Sequence, residues 1–129
     1  MVEQIRIIGD LDVARAALQA GAIGGRLGFD ATARAMLATA VSELARNIVK
    51  YAGTGEVRLN CLRGDRVGIE VVAVDRGPGI ADTEAALSDH FSSSGTLGMG
   101  LPGVRRLMDE FELESAPGRG TRVTARKWR

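Results

Sequence analysis

Three short segments stand in a fixed order along the chain: Glu43-Leu-Ala-Arg-Asn47, Asp75-Arg-Gly77-Pro-Gly79-Ile80 and Gly95-Thr-Leu-Gly98-Met99-Gly100-Leu101. They constrain the fold because each needs a different backbone setting. The first lies in a run of strong helix formers, the second closes an apolar β-rich run, and the third is a glycine stretch leading into a helix. A fold that uses all three together must bring a helix face, a strand end and a helix N-terminus around one volume.

The elements follow from patterning. Residues 2–9 alternate apolar and polar and read as a strand ending at Gly9. Asp10 is placed to cap a helix that fades at the glycines between Gly21 and Gly28. Asp30 caps a longer helix from Ala31 to about Ala52, with Leu37, Val41, Leu44 and Ile48 on one stripe and Gly53 and Gly55 as its stop. Glu56–Arg63 and Val67–Asp75 read as a hairpin around Gly64-Asp65. Residues 76–98 are mostly loop, with a short helical stretch near Asp82–Leu87. A helix over Gly100–Phe111 carries Leu101, Val104 and Met108 on one side. Strands at Glu112–Ser115 and Thr121–Lys127, joined by a turn at Pro117-Gly118, finish the chain. The order β-α-α-β-β-α-β-β predicts an α/β two-layer sandwich: a mixed, mainly antiparallel sheet with helices on one face.

Composition removes several function classes. At 129 residues the chain is expected to form one domain, burying about two-thirds of its unfolded surface. Seventeen basic against sixteen acidic side chains give a net charge of +1, so no field draws it to nucleic acid or an anionic membrane. Aromatics at 4% supply no base-stacking platform. One Cys and one His, Cys61 and His90, build neither a disulfide nor a zinc cluster. Cys61 reads as a core residue and His90 as an ordinary loop residue. The N-terminal run is too short and polar for a signal peptide, and no apolar stretch approaches the ~18 residues of a membrane span, so a cytoplasmic location is expected.

Each segment has a chemical reading beside a plain one. Glu43 and Asn47 lie i,i+4 on one helix face, which Lys50 extends by a turn near the edge of the core. The amide oxygen of Asn47 is a suitable hard ligand for Mg²⁺, and Glu43 can accept a proton from a hydroxyl. The same spacing also fits a solvated helix face. Asp75, at a strand end beside Gly77 and Gly79, can accept a hydrogen bond from an adenine amino group, with Pro78 stiffening the turn. Asp, Gly and Pro also make plain turns. The glycines from Gly95 to Gly100 free backbone N–H groups for an anion at the start of the next helix, where Pro102 fits the first turn. The Ser/Gly run before them would act as a lid, or as a linker before a helix cap. Thr121, after Gly118-Arg-Gly120, can reach a purine or simply serve a hairpin turn.

In combination these residues resemble the ATP-binding superfamily shared by DNA gyrase, ninety-kilodalton heat-shock chaperones, MutL and sensor histidine kinases (the GHKL fold). The resemblance covers almost the whole chain. Within it, Ser42-Glu-Leu-Ala-Arg-Asn-Ile, Asp75-Arg-Gly-Pro-Gly-Ile and Gly100-Leu-Pro-Gly-Val-Arg-Arg-Leu-Met-Asp-Glu-Phe are similar to the small anti-sigma-type serine kinases. The resemblance implies that Asn47 holds Mg²⁺ and that Glu43 is general base for an acceptor serine. Asp75 would read adenine beside Gly77, Gly79 and Ile80, supported by Thr121. Gly95, Gly98, Met99, Gly100 and Leu101 would surround the phosphates, with Lys50 also at the nucleotide.

The resemblance further implies ATP and Mg²⁺ as cofactors and an acceptor serine or threonine on a separate protein. That acceptor would be a STAS-domain partner of the RsbS or RsbR kind in a stressosome-type complex. The released kinase would then activate a serine phosphatase or another output protein. Complete histidine kinases need a dimerisation helix with a phosphoaccepting His, and the chain has none in its pattern. Two other readings stand beside the kinase: a nucleotide-gated binding module whose task is partner switching, and an anti-sigma factor that binds sigma directly.

Overall fold

A computed structural model describes residues 2–87 and 100–129. The elements run β1 (Val2–Ile7), α1 (Asp10–Arg26), α2 (Ala31–Tyr51), β2 (Gly55–Arg63), β3 (Val67–Asp75), α3 (Thr83–Ala86), α4 (Gly100–Leu107), β4 (Glu110–Ser115) and β5 (Thr121–Trp128). The five strands form one sheet in the order β1-β2-β3-β5-β4, and every pairing is antiparallel. The expected sandwich is therefore present.

One sheet face is apolar because strand side chains alternate. Ile5, Ile7, Val57, Leu59, Ile69, Val71, Ala73, Val123 and Ala125 all point to the helices and are buried. The opposite face carries Arg58, Glu70, Thr124 and Arg126, none of them buried. There Arg126 bridges Glu70 and Glu110 at 2.9 and 3.2 Å.

α2 is the spine of the helical layer. Leu37, Val41, Leu44 and Ile48, the stripe read from spacing, are each no more than 2% exposed. Asp30 caps it as expected, its Oδ1 accepting the Ala33 N–H at 2.8 Å. Asp30→Ala should cost about 1 kcal/mol of stability, readable as a lower denaturant midpoint; an unchanged midpoint would remove the cap from the account. Gly53 ends the helix at φ +84, donating to the Ile48 carbonyl at 2.9 Å.

Four local expectations are corrected. Asp10 lies inside α1 rather than capping it; Gly9 is the N-cap, and Asp12 instead accepts the Ile8 N–H at 3.0 Å. α1 ends at Arg26, inside the expected Gly21–Gly28 stretch, but stays helical through Gly21, Gly24 and Gly25 rather than fading at them. Two of its glycines are used for close approach to α2: a Cβ on Gly24 would sit 3.3 Å from Leu37, and one on Gly25 2.9 Å from the Arg34 guanidinium. Gly55 is no helix stop. It opens β2 where Val74 O and Ile48 Cγ2 come within 2.5 and 2.7 Å of a built Cβ.

The fourth correction bears on the site. α4 ends at Leu107, four residues before the expected Phe111, because pairing of Glu110 with Arg126 claims that segment for β4. Buried Lys127 closes the helix, its Nζ donating to the Leu107 carbonyl at 2.8 Å. Cys61 is half-buried against the core, and Trp128 stacks against Arg66 with 4.3 Å from guanidinium to ring centre.

Candidate nucleotide site

The strand-end acid sits in a tightly built corner. Asp75 and Thr121 are directly opposite one another in the β3–β5 ladder. Asp75 Oδ1 accepts the Gly77 N–H at 2.9 Å, which fixes the carboxylate against the following turn. Among the described residues its Oδ2 has no partner and remains available as an acceptor. Gly77 is required by α2, since a Cβ there would come 2.7 Å from the Ala52 Cβ.

Two loops are clasped at this corner by residues with no room for a side chain. Gly79, at φ +78, would place a Cβ 2.0 Å from the Ala116 carbonyl oxygen. Gly120, at φ +73, would place one 2.1 Å from the Asp75 carbonyl oxygen. Gly118 donates to the Pro78 carbonyl at 2.8 Å, tying the turn before β5 to the turn after β3.

Ser115 is the residue that pattern reading missed. Its hydroxyl accepts the Ile80 N–H at 2.8 Å, donates to the Gly120 carbonyl at 2.8 Å and lies 2.9 Å from Thr121 Oγ1. One hydroxyl thus holds Ile80, Gly120 and Thr121 in place around Asp75. No local signal marks it, because its three partners lie in two different loops and a neighbouring strand. A cleft of about 310 Å³ opens at this corner, lined by Asp75, Ser115, Gly120 and Thr121, with Glu114 and Arg122 from the open sheet face. Glu43 and Asn47 do not line it.

The helix-borne acid lies about two and a half turns back along α2 from this corner. Glu43 is 5% exposed, deeper than the core edge expected from its spacing. A carboxylate this far from water needs partners, and among the described residues it has two. Oε1 accepts the Gly100 N–H at 3.1 Å, and Oε2 accepts from Arg46 at 3.0 Å. Glu43 therefore supplies negative charge at the start of α4, where the helix dipole favours an anion. Asn47 is half-buried one turn further on, and its amide makes no hydrogen bond to a described residue. Lys50 is exposed, with Nζ 5.2 Å from the Tyr51 ring centre. Leu101 packs against the core and Pro102 is buried in the first turn of α4.

α2 joins the two halves. Glu43 touches the start of α4, and Ala52, just past the helix end, packs on Gly77 beside Asp75. Nine residues of helix separate them, about 13 Å along the axis, with Asn47 between. Gly95, Gly98, Met99 and His90 lie outside the described residues, as does the Ser/Gly run read as a lid.

The arrangement sets a carboxylate acceptor in a corner at one end and a helix N-terminus at the other. The family follows. Residues 10–127 match the histidine kinase-like ATPase domain model, and the chain belongs to that family. Within it, the chain is similar to the serine/threonine-protein kinase RsbT of Bacillus subtilis, 45% identical over 126 residues, covering 96% of this chain and 94% of RsbT. It is also similar to the anti-sigma F factor of Caldanaerobacter subterraneus, 35% identical over 97 residues, covering 70% of this chain and 66% of that protein. Among solved structures, the mycobacterial sensor histidine kinase MprB superposes with a TM-score of 0.59 over 99% of this chain and 97% of the other; at 20% identity this likeness concerns the fold. Among the described residues, no helix is long and apolar enough to cross a membrane.

Proposed function

We propose that this chain is an ATP-dependent protein serine/threonine kinase, a single ATP-binding domain over residues 1–129 that phosphorylates STAS-domain partners in a stressosome-type, partner-switching pathway. The observation that carries the reading is the buried Glu43 carboxylate at the head of α4, one turn from Asn47, in a chain that matches RsbT over nearly all its length. Cytoplasmic location and activation of a downstream phosphatase or output protein belong to the same proposal.

The residues present fit ATP and Mg²⁺. Asp75 Oδ2 offers an acceptor to the adenine amino group, with Gly77, Gly79, Ile80 and Thr121 shaping the corner. Gly95, Gly98, Met99, Gly100 and Leu101 would surround the phosphates, with Lys50 nearby. Asn47 offers an amide oxygen with no other described partner. Among the described residues no group of three or more His, Cys, Asp or Glu could hold a metal; Asn47 would be the residue that holds Mg²⁺, an ion that takes only one or two protein groups. When bound, Mg²⁺ supplies neutralisation of charge on the phosphate oxygens.

The rest is positioning and one proton. The acceptor hydroxyl gives its proton to Glu43 as its oxygen bonds to the γ-phosphorus, and the bond from that phosphorus to the bridging oxygen breaks, leaving ADP with the electron pair. Asp75 holds the base end of the nucleotide still while this happens. Asp75→Asn keeps the shape and loses the charged acceptor, so nucleotide affinity should fall about 10- to 100-fold, the worth of a hydrogen bond to a charged group. Equilibrium binding of a fluorescent ATP analogue measures it. An affinity equal to wild type would remove Asp75 from adenine recognition.

The similarity to anti-sigma factors favours a second reading, a nucleotide-gated binding module with partner switching as its main role. Incubation with labelled ATP and a purified STAS-domain protein separates the two. Label on the partner supports the kinase, and nucleotide-dependent association without label supports the module.

A further inference from the structure

Glu43 is held by two donors of different kinds. One, the Gly100 N–H, ends the glycine segment that the kinase reading assigns to the phosphates. The other, Arg46, is one turn along the same helix, and among the described residues its guanidinium reaches only Glu43 and, at a long 3.5 Å, Ser42 Oγ. The two side chains differ sharply in setting: that of Glu43 is 6% exposed and that of Arg46 is 54% exposed. The pair thus runs from the buried carboxylate out to solvent. Were a phosphate to take the Gly100 N–H, Arg46 would be the carboxylate's remaining donor among the described residues.

We propose that Arg46 is a positioning residue for Glu43. Its guanidinium holds Oε2, so that Oε1, given up by Gly100, is presented to the acceptor hydroxyl and takes its proton. A buried carboxylate that lost one of two partners would otherwise be free to rotate out of line. The inference rests on the kinase reading. An ordinary i,i+3 surface pair would contribute only a few tenths of a kcal/mol to the helix and nothing to the reaction.

The test is a double-mutant cycle on kcat for label transfer from ATP to the purified STAS-domain acceptor, using Arg46→Ala, Glu43→Gln and the double variant, with nucleotide affinity measured directly and folding checked by thermal unfolding. Arg46→Ala should lower kcat about 10- to 100-fold at unchanged nucleotide affinity, and Arg46→Lys should restore part of the loss. In the Glu43→Gln background the same change should have no further effect, because Arg46 acts through that carboxylate. A wild-type kcat in Arg46→Ala, or an equal loss in both backgrounds, overturns the proposal alone. Failure of the wild-type chain to label any STAS-domain protein overturns the kinase reading and this proposal with it.

Discussion

Glu43→Gln is expected to slow phosphoryl transfer roughly 100- to 10,000-fold, the range a positioned general base contributes. Glutamine is the informative replacement because it keeps the side-chain volume in a pocket where Glu43 is only 5% exposed. Its amide oxygen can still accept the Gly100 N–H, so the head of α4 keeps its partner, whereas Glu43→Ala would leave that donor bare. The amide cannot take a proton from a hydroxyl. Nucleotide affinity should stay within a few-fold of wild type, which separates loss of chemistry from loss of binding. Single-turnover transfer to the acceptor, run beside a direct binding titration, reads both. A rate within a few-fold of wild type would mean that another group removes the proton.

The second large effect is on folding. Gly79→Ala should cost about 2–5 kcal/mol, summing left-handed backbone strain and overpacking. The position combines φ +78 with a built Cβ 2.0 Å from the Ala116 carbonyl oxygen and 2.7 Å from its carbon. These are backbone atoms with no side chain to rotate away, so one of the two loops must move. The clasp around Asp75 would open with it, because Ser115 joins Ile80 to Gly120 and Thr121. Gly118→Ala is the control: φ is +75 but nothing lies within 4 Å, leaving the backbone strain of about 1–2 kcal/mol alone. Chemical denaturation of both variants decides the matter; equal losses would show that the close approach to Ala116 does not count. Against a usual stability of about 5–15 kcal/mol, the larger loss is enough to leave a substantial unfolded fraction.

Much of the architecture was written in local pattern. The Leu37-Val41-Leu44-Ile48 stripe, the Asp30 cap and the β2–β3 hairpin are all carried by residues near one another in sequence, and each is found where spacing placed it. Features set by distant partners were not legible. Gly24 and Gly25 read as helix breakers, yet they let α1 approach Arg34 and Leu37 of α2, and packing outweighs propensity there. The end of α4 is decided by Arg126, sixteen residues beyond Glu110. At the site, Glu43 was visible from its spacing with Asn47, but its burial and its bond to Gly100 depend on a contact across 57 residues. Ser115 had no signal at all.

The placement of β5 between β3 and β4 has a consequence for synthesis. β1, α1, α2, β2 and β3 can all associate while the nascent chain is still attached to the ribosome, because their partners have already emerged. Asp75 nonetheless waits for Thr121, which arrives more than forty residues later. Until β5 zips into the gap between β3 and β4, the growing polypeptide has a helical half with nothing to close the corner around Asp75.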